Sequence, residues 1–232
     1  MTAGRELILA NIRKSLSRGP LSAERAAQLE RRLNAAEPNL VPARGAIDGA
    51  ERVALFIAEA EKVDTTVSRV AGAADVPRAV ATYLAAQNLP TVLKTAPDPG
   101  LADILWSQQT TLTVREGPPE DGDEVSVTGA FAGIAETGTL MLKSGPHSPT
   151  SLNFLPDTHV VVLDAGAIEG TYEAAWSRLR ASGGEGAAGA FMPRTINLIT
   201  GPSRTADIEQ TLLLGAHGPR RQLIVLIDGE DT

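Results

Sequence analysis

The sequence predicts an α/β fold built on a mostly parallel sheet, and three observations lead to this prediction. Beyond the first 49 residues, short apolar segments typical of strands alternate with segments of helical length and pattern. Segment 159–164 is almost entirely apolar, as expected for a strand buried on both faces of a sheet. Apolar residues make up 43% of the 232 residues, which is enough for a substantial core.

The start of the chain has a different pattern and is predicted to be helical. Apolar residues recur at helical spacing in 7–16, and helix-forming residues fill 22–34. Both apolar stripes are thin, so these helices need another surface to pack on. We therefore expect residues 1–49 to form an N-terminal helical segment with a linker, and residues 50–232 to form the α/β domain.

The elements of the α/β domain follow from local pattern and from turn residues. The predicted helices are 50–62, 75–86, 101–107, 168–180 and 206–214. The predicted strands are 65–70, 91–94, 111–114, 159–164, 196–200 and 222–227. Segment 125–143 is predicted to form two strands joined by, or bent at, a Glu-Thr-Gly-Thr turn, and 183–189 to form a flexible turn.

Segment 201–209, with the sequence Gly-Pro-Ser-Arg-Thr-Ala-Asp-Ile-Glu, is the most informative part of the chain. It lies where a buried strand is expected to pass into a helix, and Gly201 allows a sharp turn there. Ser203 and Arg204 then place a hydroxyl group and a guanidinium beside a helix N-terminus, which suits a carboxylate or a phosphate. The alternative is that Thr205 simply caps the helix.

The Glu136-Thr137-Gly138-Thr139 turn is a second candidate site. Ligands bind at the carboxyl ends of strands in parallel sheets, so this turn and the 201–209 segment would share a cleft if their strands point the same way. Glu136 is then a candidate general base or nucleophile. The alternative is that Glu136, Thr137 and Thr139 only accept or cap backbone groups of the turn.

His217 is a third candidate, because a histidine side chain can accept and donate a proton. It follows Gly215, the predicted C-cap of helix 206–214, so it can equally bind the free carbonyls of that helix end. The three histidines show no metal-ligand spacing, and we expect no metal site.

Composition excludes several classes of protein. The net charge is −7, the basic residues are scattered, and there are eight aromatic residues, so nucleic-acid binding is not expected. The chain contains no cysteine, which excludes disulfides, a thiolate nucleophile and cysteine-ligated iron–sulfur clusters in this chain. No secretory signal and no membrane span is visible, so we expect a soluble cytoplasmic protein.

Three segments together resemble the lactate utilization protein C family, also called the LUD domain. They are 135–140 (Ala-Glu-Thr-Gly-Thr-Leu), 198–209 (Leu-Ile-Thr-Gly-Pro-Ser-Arg-Thr-Ala-Asp-Ile-Glu) and 215–220 (Gly-Ala-His-Gly-Pro-Arg). The resemblance covers roughly residues 50–227. It implies a three-layer fold like that of the ribose-5-phosphate isomerase and CoA-transferase group. It also implies a role beside two iron–sulfur partner proteins in oxidising L-lactate to pyruvate, with any clusters held by those partners.

Under this interpretation the two turns and His217 line a cleft that accepts a small carboxylate. The expected catalytic residues are Glu136 and His217. The expected substrate-binding residues are Thr137, Gly138, Thr139, Gly201, Ser203, Arg204 and Thr205. Two alternatives stay open: a stand-alone isomerase or transferase that binds a sugar phosphate or CoA thioester through the same loops, and a purely structural interaction protein.

Overall fold

The structure, a computed structural model, describes residues 3–17, 19–35, 37, 40–183, 192–206 and 212–229. Its central feature is a sheet of six parallel strands. They are β1 (Thr66–Val70), β2 (Val92–Thr95), β3 (Thr113–Glu116), β4 (Val125–Gly129), β7 (Thr158–Asp164) and β12 (Arg221–Ile227). Their order across the sheet is β1-β12-β7-β4-β2-β3, and each neighbouring pair is parallel.

Both faces of this sheet are covered by apolar side chains, as predicted for the strand at 159–164. Val160 and Val162 of β7 pack in one cluster with helix α4 (Val76–Ala86). Val161 and Leu163 point the other way, into a cluster that contains helix α3 (Gly49–Lys62). The alternation of buried residues to both faces explains the continuous apolar run.

A second, smaller sheet packs on the α3 side. Its strands are β5 (Ala132–Ile134), β6 (Thr139–Lys143), β8 (Ile168–Glu169) and β9 (Ile196–Ile199), in the order β8-β5-β6-β9. Strand β6 is antiparallel to both of its neighbours, β5 and β9. Helix α5 (Tyr172–Ala181) covers the outer face of this sheet through Ala175. A two-stranded antiparallel ribbon is formed by β10 (Arg204–Ala206) and β11 (Leu212–Leu214).

The chain divides into two compact units, Met1–Leu40 and Val41–Thr232. The first unit contains helices α1 (Ala3–Ser15) and α2 (Ala23–Ala35). The second unit contains every strand described above. Within the described residues, no helix combines the length and apolarity needed to cross a bilayer.

The α/β class and the mostly parallel sheet are confirmed, whereas several local predictions are wrong. Residues 101–107 do not form an α-helix; two short 3₁₀ turns, Pro99–Leu101 and Trp106–Gln108, lie there instead. The helix predicted at 168–180 begins only at Tyr172, because Ile168 and Glu169 pair with β5. The turn predicted at 183–189 lies almost wholly outside the described residues. The likeness to ribose-5-phosphate isomerase and CoA transferases stays a prediction.

The helix predicted at 206–214 is also wrong at the positions that the structure describes. Arg204–Ala206 and Leu212–Leu214 pair as antiparallel strands. The Ser203 amide donates to the Pro219 carbonyl (2.8 Å), and the Gly215 amide donates to the Ser203 carbonyl (2.9 Å). These tertiary hydrogen bonds hold the chain extended where the local signals favour a helix. Ser203 and Arg204 therefore do not lie at a helix N-terminus, and Gly215 is not a helix C-cap.

Gly138 lies at the closest approach of the β5–β6 turn to α3, and this contact yields a stability prediction. Its φ is +63°, and a Cβ there would lie 2.3 Å from the Ala60 amide nitrogen. Gly138→Ala is therefore expected to combine left-handed backbone strain with overpacking and to lower the free energy of unfolding by about 3 kcal/mol. Urea denaturation measures this change.

Gly122→Ala is the matched control for that variant. Gly122 also has a positive φ, +93°, but a Cβ there would meet no atom within 4 Å. Only the backbone strain should remain in this variant, so the free energy of unfolding should fall by about 1 kcal/mol. Equal losses in the two variants would contradict the packing of the turn against α3.

Candidate functional site

One cavity is lined by several of the predicted site residues, and we call it the histidine cavity. Its volume is about 280 Å³. It lies between the amino ends of β7 and β12, the loop after β9 and the loop before β12. It is lined by Asn153, Phe154, His159, Leu198, Ile199, Thr200, Gly201, Pro202, Ser203, Arg204, His217, Gly218, Pro219 and Gln222.

The two predicted turns do converge, but at the edge of the small sheet and not of the parallel one. Strands β5 and β9 run in the same direction because both are antiparallel to β6. The start of β6 therefore meets the end of β9, where the hydroxyl oxygens of Thr139 and Thr200 lie 2.7 Å apart. Thr137 and Tyr172 complete this hydroxyl cluster. The cluster links the Glu-Thr-Gly-Thr turn to the wall of the histidine cavity.

Gly201 turns the chain at the end of β9, as predicted. Its φ is +76°, and a Cβ there would lie 2.5 Å from the Val63 carbonyl oxygen. The turn is therefore packed tightly against the end of α3. This contact places Ser203 and Arg204 at the cavity, whereas Thr205, the next residue of β10, does not line it.

Arg204 lies at the cavity with its charge already paired. Its Nη2 atom donates to Asp64 Oδ2, and about one third of the Arg204 side chain is exposed. The guanidinium has five donors in a planar fork, so this ion pair leaves further donors for a ligand. Asp64 therefore both positions Arg204 and competes with an incoming anion.

The floor of the histidine cavity is polar and almost completely buried. His159 is 0% exposed, Gln222 is 3% exposed and Asn153 is 1% exposed. His159 and Gln222 are directly opposite each other on β7 and β12, and Thr65 donates to Gln222 Oε1 at 2.9 Å. On the other side of His159, Ser126 of β4 is its register partner. A row of buried polar residues thus crosses the amino end of the central sheet.

Two polar atoms on this floor have no hydrogen-bond partner among the described residues. They are Nδ1 of His159 and Oδ1 of Asn153. The other ring nitrogen of His159, Nε2, lies 2.8 Å from the Thr128 hydroxyl oxygen. A buried polar atom without a partner costs about 1–3 kcal/mol. Buried polar groups of this kind are normally satisfied by bound water or by a ligand.

Burial keeps His159 uncharged. Desolvation lowers the pKa of His159 from 6.5 to about 3, so the imidazole is neutral at physiological pH. A neutral ring presents one donor and one acceptor nitrogen. The floor of the cavity therefore offers hydrogen bonds without charge, while the positive charge lies at Arg204.

His217 lies in the loop that follows β11, with an exposed side chain that lines the cavity. The predicted contact of His217 with helix carbonyls is wrong, because the preceding element is a strand. Gly215 has a φ of +77°, and a Cβ there would overlap the Arg220 side chain. The loop is therefore folded closely on itself, and His217 is presented at the cavity rim.

Glu136 does not line the histidine cavity. Its side chain is 3% exposed, and Oε1 accepts a hydrogen bond from the Tyr172 amide (3.0 Å) at the start of α5. Its Oε2 atom lies 3.8 Å from Nε of Arg44. A carboxylate at a helix N-terminus satisfies a free amide and interacts favourably with the helix dipole. Gly138 likewise packs on α3 and not on the cavity.

His159, Asn153 and Gln222 were not predicted as site residues from the sequence. A signal was present: His159 and Gln222 are the last polar residues before the apolar runs of β7 and β12. In two neighbouring parallel strands, such residues fall at the same level of the sheet. Within the described part of the chain, no cluster of three or more histidine or acidic side chains has the geometry for a metal ion.

The low pKa of His159 predicts how stability changes with pH. The unfolded state binds a proton below pH 6.5 and the folded state only near pH 3, so stability is complete above 6.5 and falls as the pH decreases. The expected contribution is about 1.4 kcal/mol per pH unit. His159→Gln should remove it, and His147→Gln, at an exposed histidine, should not.

Urea denaturation at pH 7.0, 6.0 and 5.0 measures how the free energy of unfolding changes with pH in the wild type, His159→Gln and His147→Gln. An identical slope in the wild type and in His159→Gln would contradict the burial of the imidazole.

Comparisons with known proteins agree with the fold and point to a family. Residues 123–227 match the family model described as the LUD domain. This segment runs from β4 to β12 and contains every residue that lines the histidine cavity. An uncharacterized protein of Neisseria meningitidis serogroup B is 40% identical over 104 residues, which cover 45% of this chain and 42% of that protein.

Several relatives are named lactate utilization protein C. The one from Bacillus subtilis is 33% identical over 140 residues, covering 55% of this chain and 57% of that protein. The one from Bacillus pumilus is 38% identical over 99 residues, covering 42% and 39%. The chain thus spans about half the length of the curated relatives it matches.

A solved structure has the same fold. It is the crystal structure of a DUF162 family protein from Deinococcus radiodurans, with a TM-score of 0.55 and 24% sequence identity. The match covers 78% of this chain and 99% of that chain. Together, the match over 123–227 and the lactate utilization protein C relatives show that this segment of the chain is similar to the LUD domain family.

Proposed function

We propose that this chain takes part in lactate utilization and that it binds a small 2-hydroxy carboxylate, L-lactate, in the histidine cavity. The relatives named lactate utilization protein C support the pathway. The observation that carries the binding proposal is the buried polar floor beside a guanidinium. A small ligand with both a carboxylate and a hydroxyl group complements these two features.

The carboxylate is assigned to the Arg204 side of the cavity. Arg204 supplies positive charge, and the Ser203 hydroxyl is a neighbouring donor on the same loop. Charge-assisted hydrogen bonds of this kind contribute about 1.5–3 kcal/mol. His217, at the cavity rim, is proposed as a further contact to the ligand and as the group that exchanges a proton with it.

The ligand hydroxyl is assigned to the buried floor. His159 Nδ1 and Asn153 Oδ1 lack partners among the residues that the structure describes, and a hydroxyl both donates and accepts. The volume of about 280 Å³ suits a small ligand better than a cofactor-sized one. A carboxylic acid without the hydroxyl would leave the floor unsatisfied, so the cavity should discriminate against it.

The proposed partners are two iron–sulfur lactate utilization proteins. This proposal rests on the family resemblance and on the absence of cysteine, because cysteine-ligated clusters would have to be held by other chains. In the N-terminal unit, Leu7, Ile8 and Ile12 recur at helical spacing on α1 and are exposed. Such an apolar stripe suits docking on a partner. A cytoplasmic location stays a prediction.

Arg204→Gln tests the binding proposal directly. Loss of the charged donor should weaken L-lactate binding at least tenfold, because the ligand carboxylate loses its charged partner. Arg69→Gln is the matched control: Arg69 also pairs with an aspartate, Asp228 at 2.9 Å, and does not line the cavity. Isothermal titration calorimetry measures the affinities, with propionate as the ligand that lacks the hydroxyl.

Asp64→Asn sharpens this test, because it releases Arg204 from its competing carboxylate. L-lactate should bind as tightly as to the wild type or more tightly. Wild-type protein that fails to bind L-lactate, or binds propionate equally well, would contradict the proposal.

Glu136→Gln separates the two roles of Glu136. The amide keeps an acceptor for the Tyr172 amide but loses the charge at the helix end, so we expect a loss of about 1 kcal/mol in unfolding free energy. L-lactate affinity should not change, since Glu136 lies outside the cavity lining. Loss of lactate-dependent growth in a complemented deletion strain, with stability intact, would instead support the catalytic role predicted from the sequence.

A further inference from the structure

A second, larger cavity lies at the opposite end of the central sheet. We call it the strand-end cavity, and its volume is about 680 Å³. Gly129, Asp164 and Ile227, the last residues of β4, β7 and β12, line it. In open α/β sheets, ligands bind outside the carboxyl ends of neighbouring parallel strands. This cavity therefore occupies the position that topology favours, whereas the histidine cavity lies at the amino ends.

One wall of the strand-end cavity carries two cations beside one aromatic ring. Nζ of Lys143 lies 4.1 Å from the centroid of the Phe131 ring, and Cζ of Arg178 lies 5.7 Å from it. Lys143 makes no ion pair with any residue that the structure describes. Arg178 donates to the Gly166 carbonyl (3.2 Å) and to Glu169 (3.3 Å), and both of these bonds use Nη1. Two positive charges near one ring make this part of the cavity attractive to an anion.

The lining of the strand-end cavity also includes two carboxylates, each held by its own loop. Asp98 Oδ1 accepts from the Gly100 amide (2.9 Å), and Asp164 Oδ1 accepts from the Gly166 amide (2.7 Å). In the part of the chain that is described, neither Oδ2 atom accepts a hydrogen bond. Gly129 lets Asp98 approach the strand end, because a Cβ there would lie 2.9 Å from Asp98 Oδ2. Both carboxylates are thus fixed and keep one acceptor for the cavity.

We infer that the strand-end cavity binds a phosphorylated polyhydroxy compound. Lys143 and Arg178 would bind the phosphate oxygens, as cations with several donors do. Asp98 and Asp164 would accept hydrogen bonds from hydroxyl groups, which a purely anionic ligand cannot donate. The volume exceeds what a three-carbon acid fills. The two cavities share no lining residue, so this site is distinct from the proposed lactate site and does not depend on it.

Glucose 6-phosphate and glucose are the matched probes, because they differ by the phosphate alone. We expect calorimetry on the full chain to detect glucose 6-phosphate, with glucose at least tenfold weaker. Lys143→Gln and Arg178→Gln should each weaken glucose 6-phosphate at least tenfold. Arg180→Gln is the control: it makes the same charge change on the same helix, two residues away, and lies outside the cavity lining.

Four outcomes would overturn this inference. They are the absence of glucose 6-phosphate binding to the wild type, equal binding of glucose, equal binding of inorganic phosphate, and full affinity in Lys143→Gln. Loss of glucose 6-phosphate binding in Arg204→Gln, with Lys143→Gln unaffected, would move the ligand to the histidine cavity. The L-lactate titration is a separate measurement, so failure of either proposal is distinguishable from failure of the other.

Discussion

The pairing of β6 with β9 is the constraint on which the candidate site depends. Four residue pairs, from Leu140↔Ile199 to Lys143↔Ile196, set the register. That register brings Thr139 next to Thr200 and sends the chain after β9 to the end of α3, where Gly201 packs on Val63. A slip by one residue would turn every side chain of β9 to the opposite face and would remove Ser203 and Arg204 from the cavity.

The sequence was sufficient for the fold class, but it left open whether the two turns meet and did not predict the sheet in which Thr139 and Thr200 lie side by side. Local patterns identify strands, whereas the choice between a parallel and an antiparallel neighbour depends on distant residues. The failure at 206–214 has the same origin. Thr205, Asp207 and Glu209 are good signals for the start of a helix, yet the backbone bonds of Ser203 to Pro219 and Gly215 extend the chain at Arg204. Tertiary hydrogen bonds outweighed a local preference.

The buried polar row shows why the most informative side chain was not predicted. His159 and Gln222 each look like an ordinary first residue of an apolar strand, and Thr65 and Ser126 are common at such positions. Only the register of three parallel strand pairs, β1–β12, β12–β7 and β7–β4, makes them neighbours across the sheet. Once they are neighbours, the burial of His159 lowers its pKa and keeps its imidazole neutral. The chemistry of the floor is therefore a property of strand order and not of any motif.

Strand β7 connects the two cavities physically. His159, near its amino end, belongs to the histidine cavity, and Asp164, its last residue, belongs to the strand-end cavity. Five residues of extended chain place them roughly 16 Å apart. The side chains between them are buried on both faces, so neither end of the strand can shift without disturbing both clusters. A packed central strand resists such movement, so it holds the geometry of both cavities. We therefore expect the two cavities to act as separate sites.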